Sequence, residues 1–348
     1  MRPSFPAISL SAPAAILSVM LIVASCSAPV QAASAPRAPE PVTFNNGAIE
    51  LAGTLYLPAG RGRHPAVVVF HAANGGTRDF HAYRHLVAAL PAAGFAVLIY
   101  DRRGSGASGG DYNSATLEDL ARDGIAGIKL LASRADIDPA RIGVWGMSQG
   151  GWLASLAATL SPDVAFVVSV SGPGVAPARQ MDYAATYALR ESGYSADVVK
   201  QAMQVRTAVD DYYRGRAARS DAEQAVERVR QEPWFSEIML PNSGNLPDDP
   251  GRTKWYADMD YDPLAVLRHV RVPIVSFFAE KDRWVPVEES IANIRRAVPA
   301  NRGTIVRIHG ADHFMETGTP DSGGPTSQRY VSWLVEWLDE LRDSPAHR

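Results

Sequence analysis

IGVWGMSQGG (Ile142–Gly151) decides the fold. Ile142 to Gly146 is a short apolar run of the kind that forms a buried strand, and GGWLASLAATLS behind it reads as a helix. Gly146-Met147-Ser148-Gln149-Gly150 lies between them with no residue to spare, so the chain must turn sharply at Ser148. The flanking glycines leave room for that turn. The helix that follows points its N-terminus at the site, where negative charge is favoured. The five letters alone match many unrelated chains; the strand before and the helix after make Ser148 a candidate nucleophile.

The segments on either side repeat the alternation. Upstream lie apolar strands at Ala66–Phe70 and Phe95–Tyr100, with a helix expected from Phe80 to Gly94 and another capped by Thr116 and running to Ala132. Downstream, Val164–Gly172 is a further strand. The order strand, helix, strand, helix implies right-handed crossovers and an α/β fold whose mostly parallel central sheet is flanked by helices. A hairpin turning at Asn45-Asn46-Gly47 precedes it. The pattern resumes with a strand at Pro273–Phe278, a helix at Val287–Val298, a strand at Gly303–Ile308 and a closing helix at Ser327–Leu341.

Between the two halves the strands stop. Residues 177–260 read as a helical lid or cap insertion that divides the core into a first part, 42–176, and a second part, 261–342. Three helices are expected there: Arg179–Ser192, Ala196–Tyr213 capped by Ser195, and Asp221–Gln231 opened by a Ser220-Asp221-Ala222-Glu223 capping box. Tyr183, Tyr187, Met203, Tyr212, Tyr213, Trp234 and Phe235 either line a pocket or pack the insertion onto the body; packing is the expected role.

A serine nucleophile needs a base, an orienting acid and an oxyanion hole. Of eight histidines, His313 follows the last strand, where the chain order serine, acid, histidine places the base. His309 reads as structural, His85 is mid-helix, His64 and His269 precede strands, His347 is terminal, and His81 is a rim residue. Asp282, just past a strand in FFAEKDRWVP, is the acid; Glu280 reads as a turn contact, and Asp312 is too close in sequence to reach the ring of His313. The backbone N–H of Gln149 and one from the HAANGG loop, Ala73 before Ala72, are the expected oxyanion donors, with His71 bracing that loop. DRRGSGASGG lacks a dinucleotide fingerprint and reads as a structural loop held by Asp101 and Arg102. No H-E-x-x-H signature and no cysteine cluster is present, so no metal and no cofactor is expected, and water is the second substrate.

The N-terminus is compositionally separate. Residues 1–26 read as a signal peptide of lipoprotein type, with the single cysteine, Cys26, as the lipidation site and 27–41 as an Ala-, Pro- and Ser-rich tether. Val30-Gln31-Ala32 offers a competing cleavage site and a soluble exported product. The expected location is the bacterial cell envelope, as an outer-membrane lipoprotein tethered through Cys26 or as a periplasmic protein. A net charge of -3 without a basic block excludes a general nucleic-acid binder.

Four stretches, VVVFHAANGG, VLIYDRRGSGASGG, IGVWGMSQGG through VSGPG, and VPIVSFFAEKDRWVP followed by GADHF, resemble the α/β-hydrolases of bacterial exported esterase or lipoprotein type, related to the dienelactone hydrolase and prolyl oligopeptidase-like families. The resemblance implies the triad Ser148, Asp282 and His313 and an oxyanion role at Ala73. Where many members carry His-Gly in that loop, this chain has His71-Ala72. It further implies a serine carboxylesterase acting on small short- to medium-chain esters. The alternatives are a serine peptidase or amidase, with Asp182, Asp210, Asp211 or Glu223 available to hold a substrate amine, a thioesterase or lactonase, and a noncatalytic surface-tethered binding protein.

Overall fold

The chain enters through a hairpin, β1 (Glu40–Asn46) and β2 (Ile49–Tyr56), that turns at Gly47 with φ 59°. The computed structural model describes residues 37–319 and 323–343. The expected signal peptide, Cys26, most of the tether and His347 lie outside them. β1 begins at Glu40, two residues inside the segment expected to be tether.

The α/β alternation follows: β3 (His64–Phe70), α1 (Arg84–Ala89), β4 (Ala96–Tyr100), α2 (Leu117–Ala132), β5 (Ile137–Met147), α3 (Gln149–Leu160) and β6 (Val167–Val170). The insertion contributes α4 (Pro177–Glu191), α5 (Ala196–Tyr213), α6 (Arg219–Glu227) and α7 (Lys254–Asp258); α8 (Pro263–Leu267) follows it and packs Leu267 into the core of the body. β7 (Ile274–Ala279), α9 (Val287–Ala297), β8 (Gly303–Ile308) and α10 (Gln328–Asp343) complete the chain. Among the described residues the sheet has eight strands in the order β1-β2-β4-β3-β5-β6-β7-β8. β1, β2 and β4 pair antiparallel; from β4 through β8 every pairing is parallel. This is the α/β-hydrolase fold with a helical insertion.

The continuous apolar runs are explained by burial on both faces. Side chains alternate along a strand, so Val68, Phe70 and Val144 pack with Ile128, Leu153 and Ile291 on one face. Val67, Val69 and Trp145 pack with Phe277, Tyr330 and Leu334 on the other. Each such valine or leucine stabilises the fold by about 1.5–3 kcal/mol, and a polar residue at either phase of these strands would forfeit that.

Two local expectations are corrected. The helix expected over Phe80–Gly94 is a 3-10 turn, His81–Tyr83, and the short α1. Pro91 has no N–H and its ring clashes with a carbonyl one turn back, so the helix stops before it. The capping box at Ser220 does not form. α6 starts two residues earlier, at Arg219 with Ala218 as its cap, and the Glu223 carboxylate accepts from Arg219 Nε at 2.7 Å instead. Ser195 does cap α5, accepting from Val198 N.

The insertion has a core of its own, in which Leu189, Val205, Val209, Tyr213, Trp234 and Ile238 are buried together. Arg206, 1% exposed, lies at its centre. It donates to Asp182 Oδ1 at 2.7 Å and to the carbonyls of Ile238 and Met239 at 2.8 and 3.0 Å. Those two residues lead into a turn in which Met239, Asn242 and Ser243 all have positive φ. Among the described residues no helix is long and apolar enough to cross a membrane.

Two buried histidines make the body acid-sensitive. Burial pulls His71 and His85 down to about 4, with the His71 ring within 2.6 Å of the Tyr100 carbonyl and that of His85 within 3.2 Å of the Tyr330 hydroxyl. In the unfolded chain both titrate near 6.5, so below that pH the unfolded state takes up protons that the native state refuses. Stability is therefore fully present above pH 6.5 and is lost as pH falls towards 4, by up to about 3 kcal/mol per histidine. His85→Phe should flatten the fall of Tm between pH 6.5 and 4; an unchanged slope would remove His85 from this account.

Candidate active site

The residues singled out in the sequence converge above the C-terminal ends of the parallel strands, where ligands bind in open α/β sheets. Ser148 follows β5, Asp282 follows β7, His313 follows β8, and the His71–Gly76 loop follows β3. Ser148 adopts φ 55° and ψ −119°. Its N–H donates to the Val170 carbonyl at 2.8 Å and its carbonyl accepts from Gly151 N at 2.8 Å, which ties the turn to β6 and to α3. A Cβ on Gly146 would fall on the Gly150 carbonyl, and one on Gly150 would fall on the Phe70 carbonyl, so both positions require glycine.

Asp282 and His313 form a buried pair. His313 Nδ1 lies 2.9 Å from Asp282 Oδ2 and 3.0 Å from Oδ1. Oδ1 also accepts from the N–H groups of Trp284 and Val285 at 2.8 and 2.9 Å. The His313 carbonyl accepts from Ser171 Oγ at 2.8 Å, and Asp312 Oδ1 accepts from Phe314 N and Glu316 N, so the histidine loop is held from both sides. Asp312 thus serves its own loop. Glu280 caps Gly310 N at 2.8 Å and faces the exposed His309. His81 pairs with Glu316 at 2.8 Å and packs its ring on Phe314.

The oxyanion loop distinguishes its two candidates. The Ala72 N–H is taken by the Tyr83 hydroxyl at 3.0 Å, and that hydroxyl donates onward to the Gly75 carbonyl. Ala73 lines the cavity beside Ser148. Gln149 is the first residue of α3, and its N–H has no carbonyl one turn behind it. Ala72 is not among the positive-φ residues, so alanine in place of glycine strains nothing there.

Ser148, Gln149, Ala73 and His313 share a cavity of about 460 Å³, a volume that suits a small molecule. Tyr112, Trp152, Trp284 and Phe314 give it apolar walls. The insertion closes it with Pro177, Gln180 and Met181 of α4, Pro241 and Asn242 of the left-handed turn, and Lys254, Trp255 and Asp258 of α7. None of the seven insertion side chains weighed from the sequence lines this cavity. Tyr212, Tyr213 and Trp234 pack the insertion core, while Tyr183 donates to the Asp282 carbonyl at 3.3 Å.

Nor do the acids weighed as amine holders reach it. Asp182 pairs with Arg206, Asp210 accepts from Trp255 Nε1, and Glu223 pairs with Arg219. Asp258, which sequence reasoning missed, does line it. Lys254 Nζ bonds Asp258 Oδ2 at 2.7 Å and the Ala115 carbonyl at 2.9 Å, with Tyr112's ring 4.8 Å away. Asp258 Oδ1 is buried with no hydrogen-bond partner. Burial pushes this carboxyl above the ordinary carboxylate range against the pull of Lys254. The i,i+4 spacing of the pair was legible in KWYAD; which way it faced was not. Among the described residues no group of three or more His, Cys, Asp or Glu is arranged to hold a metal ion.

This fold and the grouping of these residues define a serine-hydrolase-class enzyme. Residues 46–315 match the family model of the X-Pro dipeptidyl-peptidases (S15 family), and the chain belongs to that family. It is 33% identical over 150 residues to an uncharacterized protein of Mycobacterium tuberculosis, covering 42% of this chain and 51% of that one. A thiohydrolase, apmlB, of Arthrinium phaeospermum is 34% identical over 124 residues, 34% of this chain and 38% of the relative. The chain spans about half the length, or less, of these curated relatives. Among solved structures, a proline iminopeptidase of Mycobacterium smegmatis superposes with TM-score 0.55 at 17% identity, over 87% of this chain and 98% of that one, a likeness of fold.

Asp282→Asn should leave the fold intact and slow Ser148 labelling by a fluorophosphonate by roughly 10³–10⁴-fold, because the imidazole loses its oriented tautomer. Labelling at the wild-type rate would remove Asp282 from the site.

Proposed function

We propose that this enzyme hydrolyses short peptide or aminoacyl amide substrates through an acyl-enzyme on Ser148. His313 takes the Ser148 proton as Oγ attacks the carbonyl carbon, and the N–H groups of Ala73 and Gln149 hold the oxyanion. The scissile C–N bond breaks as His313 returns the proton to the leaving amine. Water, deprotonated by His313, then releases the acid and frees Ser148.

Asp258 carries this reading. Lys254 already holds Asp258 Oδ2 and the Ala115 carbonyl, so the unmatched group of the pair is an acceptor, the buried Asp258 Oδ1, on a side chain that lines a mostly apolar cavity. A simple alkyl ester brings no donor to it, and packing apolar atoms on an unsatisfied acceptor is costly. An amino acid or peptide brings an N–H. Membership of the X-Pro dipeptidyl-peptidase family supports the same side. Simple esters, placed first from the sequence, are the weaker reading. The thiohydrolase relative favours thioesters as a second one, served by the same steps with a thiolate leaving group. Export, with Cys26 as a lipid attachment site, is part of the proposal and is supported by residues 1–26.

The test compares Ala-Pro-p-nitroanilide, its N-acetyl form and p-nitrophenyl butyrate, with Ser148→Ala as the blank. Ser148-dependent amide cleavage is expected. Asp258→Asn should lower kcat/KM on the amide by about 10–100-fold, the worth of one hydrogen bond to a charged group, and leave the butyrate rate nearly unchanged. Turnover of the butyrate with none of either anilide would overturn the amide reading.

A further inference from the structure

We infer that Arg102 is a positioning residue that sets both halves of the oxyanion site. The inference rests on Ser148 as nucleophile and on Ala73 and Gln149 as donors; it does not depend on whether the substrate is an amide or an ester. Arg102 lies two residues past β4, and its side chain reaches back beneath the neighbouring loop after β3. Nη1 donates to the Ala73 carbonyl at 2.8 Å and to the Ala72 carbonyl at 3.2 Å. The Ala72 carbonyl belongs to the same planar peptide as the Ala73 N–H, and the Ala73 carbonyl to the peptide after it, so holding both restrains the plane in which that N–H lies. The backbone joins in, since Arg102 N donates to the Gly76 carbonyl at 2.7 Å. Gly76 also makes the room: a Cβ there would lie 2.9 Å from Arg102 Nη2.

The face of the guanidinium is linked through Tyr112 to the residue that carries the second donor. It stacks on the ring of Tyr112 with 3.6 Å to the centroid, and the Tyr112 hydroxyl exchanges hydrogen bonds with the Gln149 side chain at 3.2–3.3 Å. One planar cation therefore holds the Ala73 loop by its edge and the start of α3 through Tyr112.

The charge balance is unusual for a structural arginine. Arg78 pairs with Asp101 and Arg103 with Asp123, but among the described residues no carboxylate pairs with Arg102, which is 8% exposed. A buried cation without an anion is costly. Here it sits behind the carbonyls of a loop in which Ala73 lines the cavity beside Ser148, where the reaction creates an anion. Its field favours that anion without reorganisation.

The experiment measures kcat and KM on p-nitrophenyl acetate, inhibition by a trifluoromethyl ketone (1,1,1-trifluoro-2-heptanone), and Tm, for Arg102→Met, Arg102→Lys and Tyr112→Phe. The ketone adds to the serine as a hemiketal oxyanion and so reports the oxyanion site directly. Arg102→Met should lower kcat by about 10²-fold, the loss typical of one oxyanion donor, with KM within threefold and ketone affinity falling in step with kcat. Arg102→Lys keeps the charge but not the fork, and should recover part of both. Tyr112→Phe keeps the stacked ring and loses the Gln149 bond, and should lower kcat severalfold. If Arg102→Met does not fold, the Lys and Phe variants carry the same comparison. A folded Arg102 variant with wild-type kcat and ketone affinity, or with kcat lowered and ketone affinity unchanged, overturns the inference. Wild-type activity in Ser148→Ala would instead overturn the site on which it rests.

Discussion

The positive φ of Ser148 is the constraint around which the molecule is arranged. A non-glycine residue in that region of backbone space costs about 1–3 kcal/mol and persists only when its surroundings over-determine it. Here they do. The N–H is held by β6, the carbonyl by α3, and the approach of α3 to β5 and β3 is so close that Gly146 and Gly150 have no room for a side chain. β5 lies between β3 and β6, both buried on two faces, so the strain is supported at the best-packed place in the sheet. The same arrangement sends the loops after β3, β7 and β8 to the same edge.

That is why so much was legible in the sequence. A strand with no spare residue before a serine and a helix directly after it has few structural solutions, and the serine–acid–histidine order then restricts the partners. The apolar runs that became β3 to β7 are long because helices cover both faces. The legible features share one property: they depend on neighbours in the chain or on the period of a strand.

The illegible ones depend on contacts between distant segments. Asp258 and Lys254 show as an i,i+4 pair in the sequence, but their place at the cavity follows from the path of the long insertion, 177–260, between β6 and β7. From the sequence Arg102 reads as holding its own loop; its reach to Ala72 and Ala73 follows from β4 and β3 being neighbours in the sheet. Ser220 shows the converse. Its capping pattern was locally sound, yet burial of Ala222, Ala225 and Val226 and the Arg219–Glu223 pair chose a different helix start. The aromatic residues of the insertion mislead as pocket candidates for a similar reason: they are needed for its own core.

That separate core has a consequence for how such a chain changes over generations. The residues that set the chemistry are anchored in the sheet, and those that close the cavity hang on an independently packed layer, with Arg206 fastening the turn that carries Pro241 and Asn242. A substitution in the turn acts first on Arg206 and the insertion core, and one in the sheet acts first on the Ser148 turn. The two layers are thus exposed to mutation as separate inheritances: one drifts in what it admits while the other keeps the same reaction, and a descendant acquires a new diet without relearning how to digest.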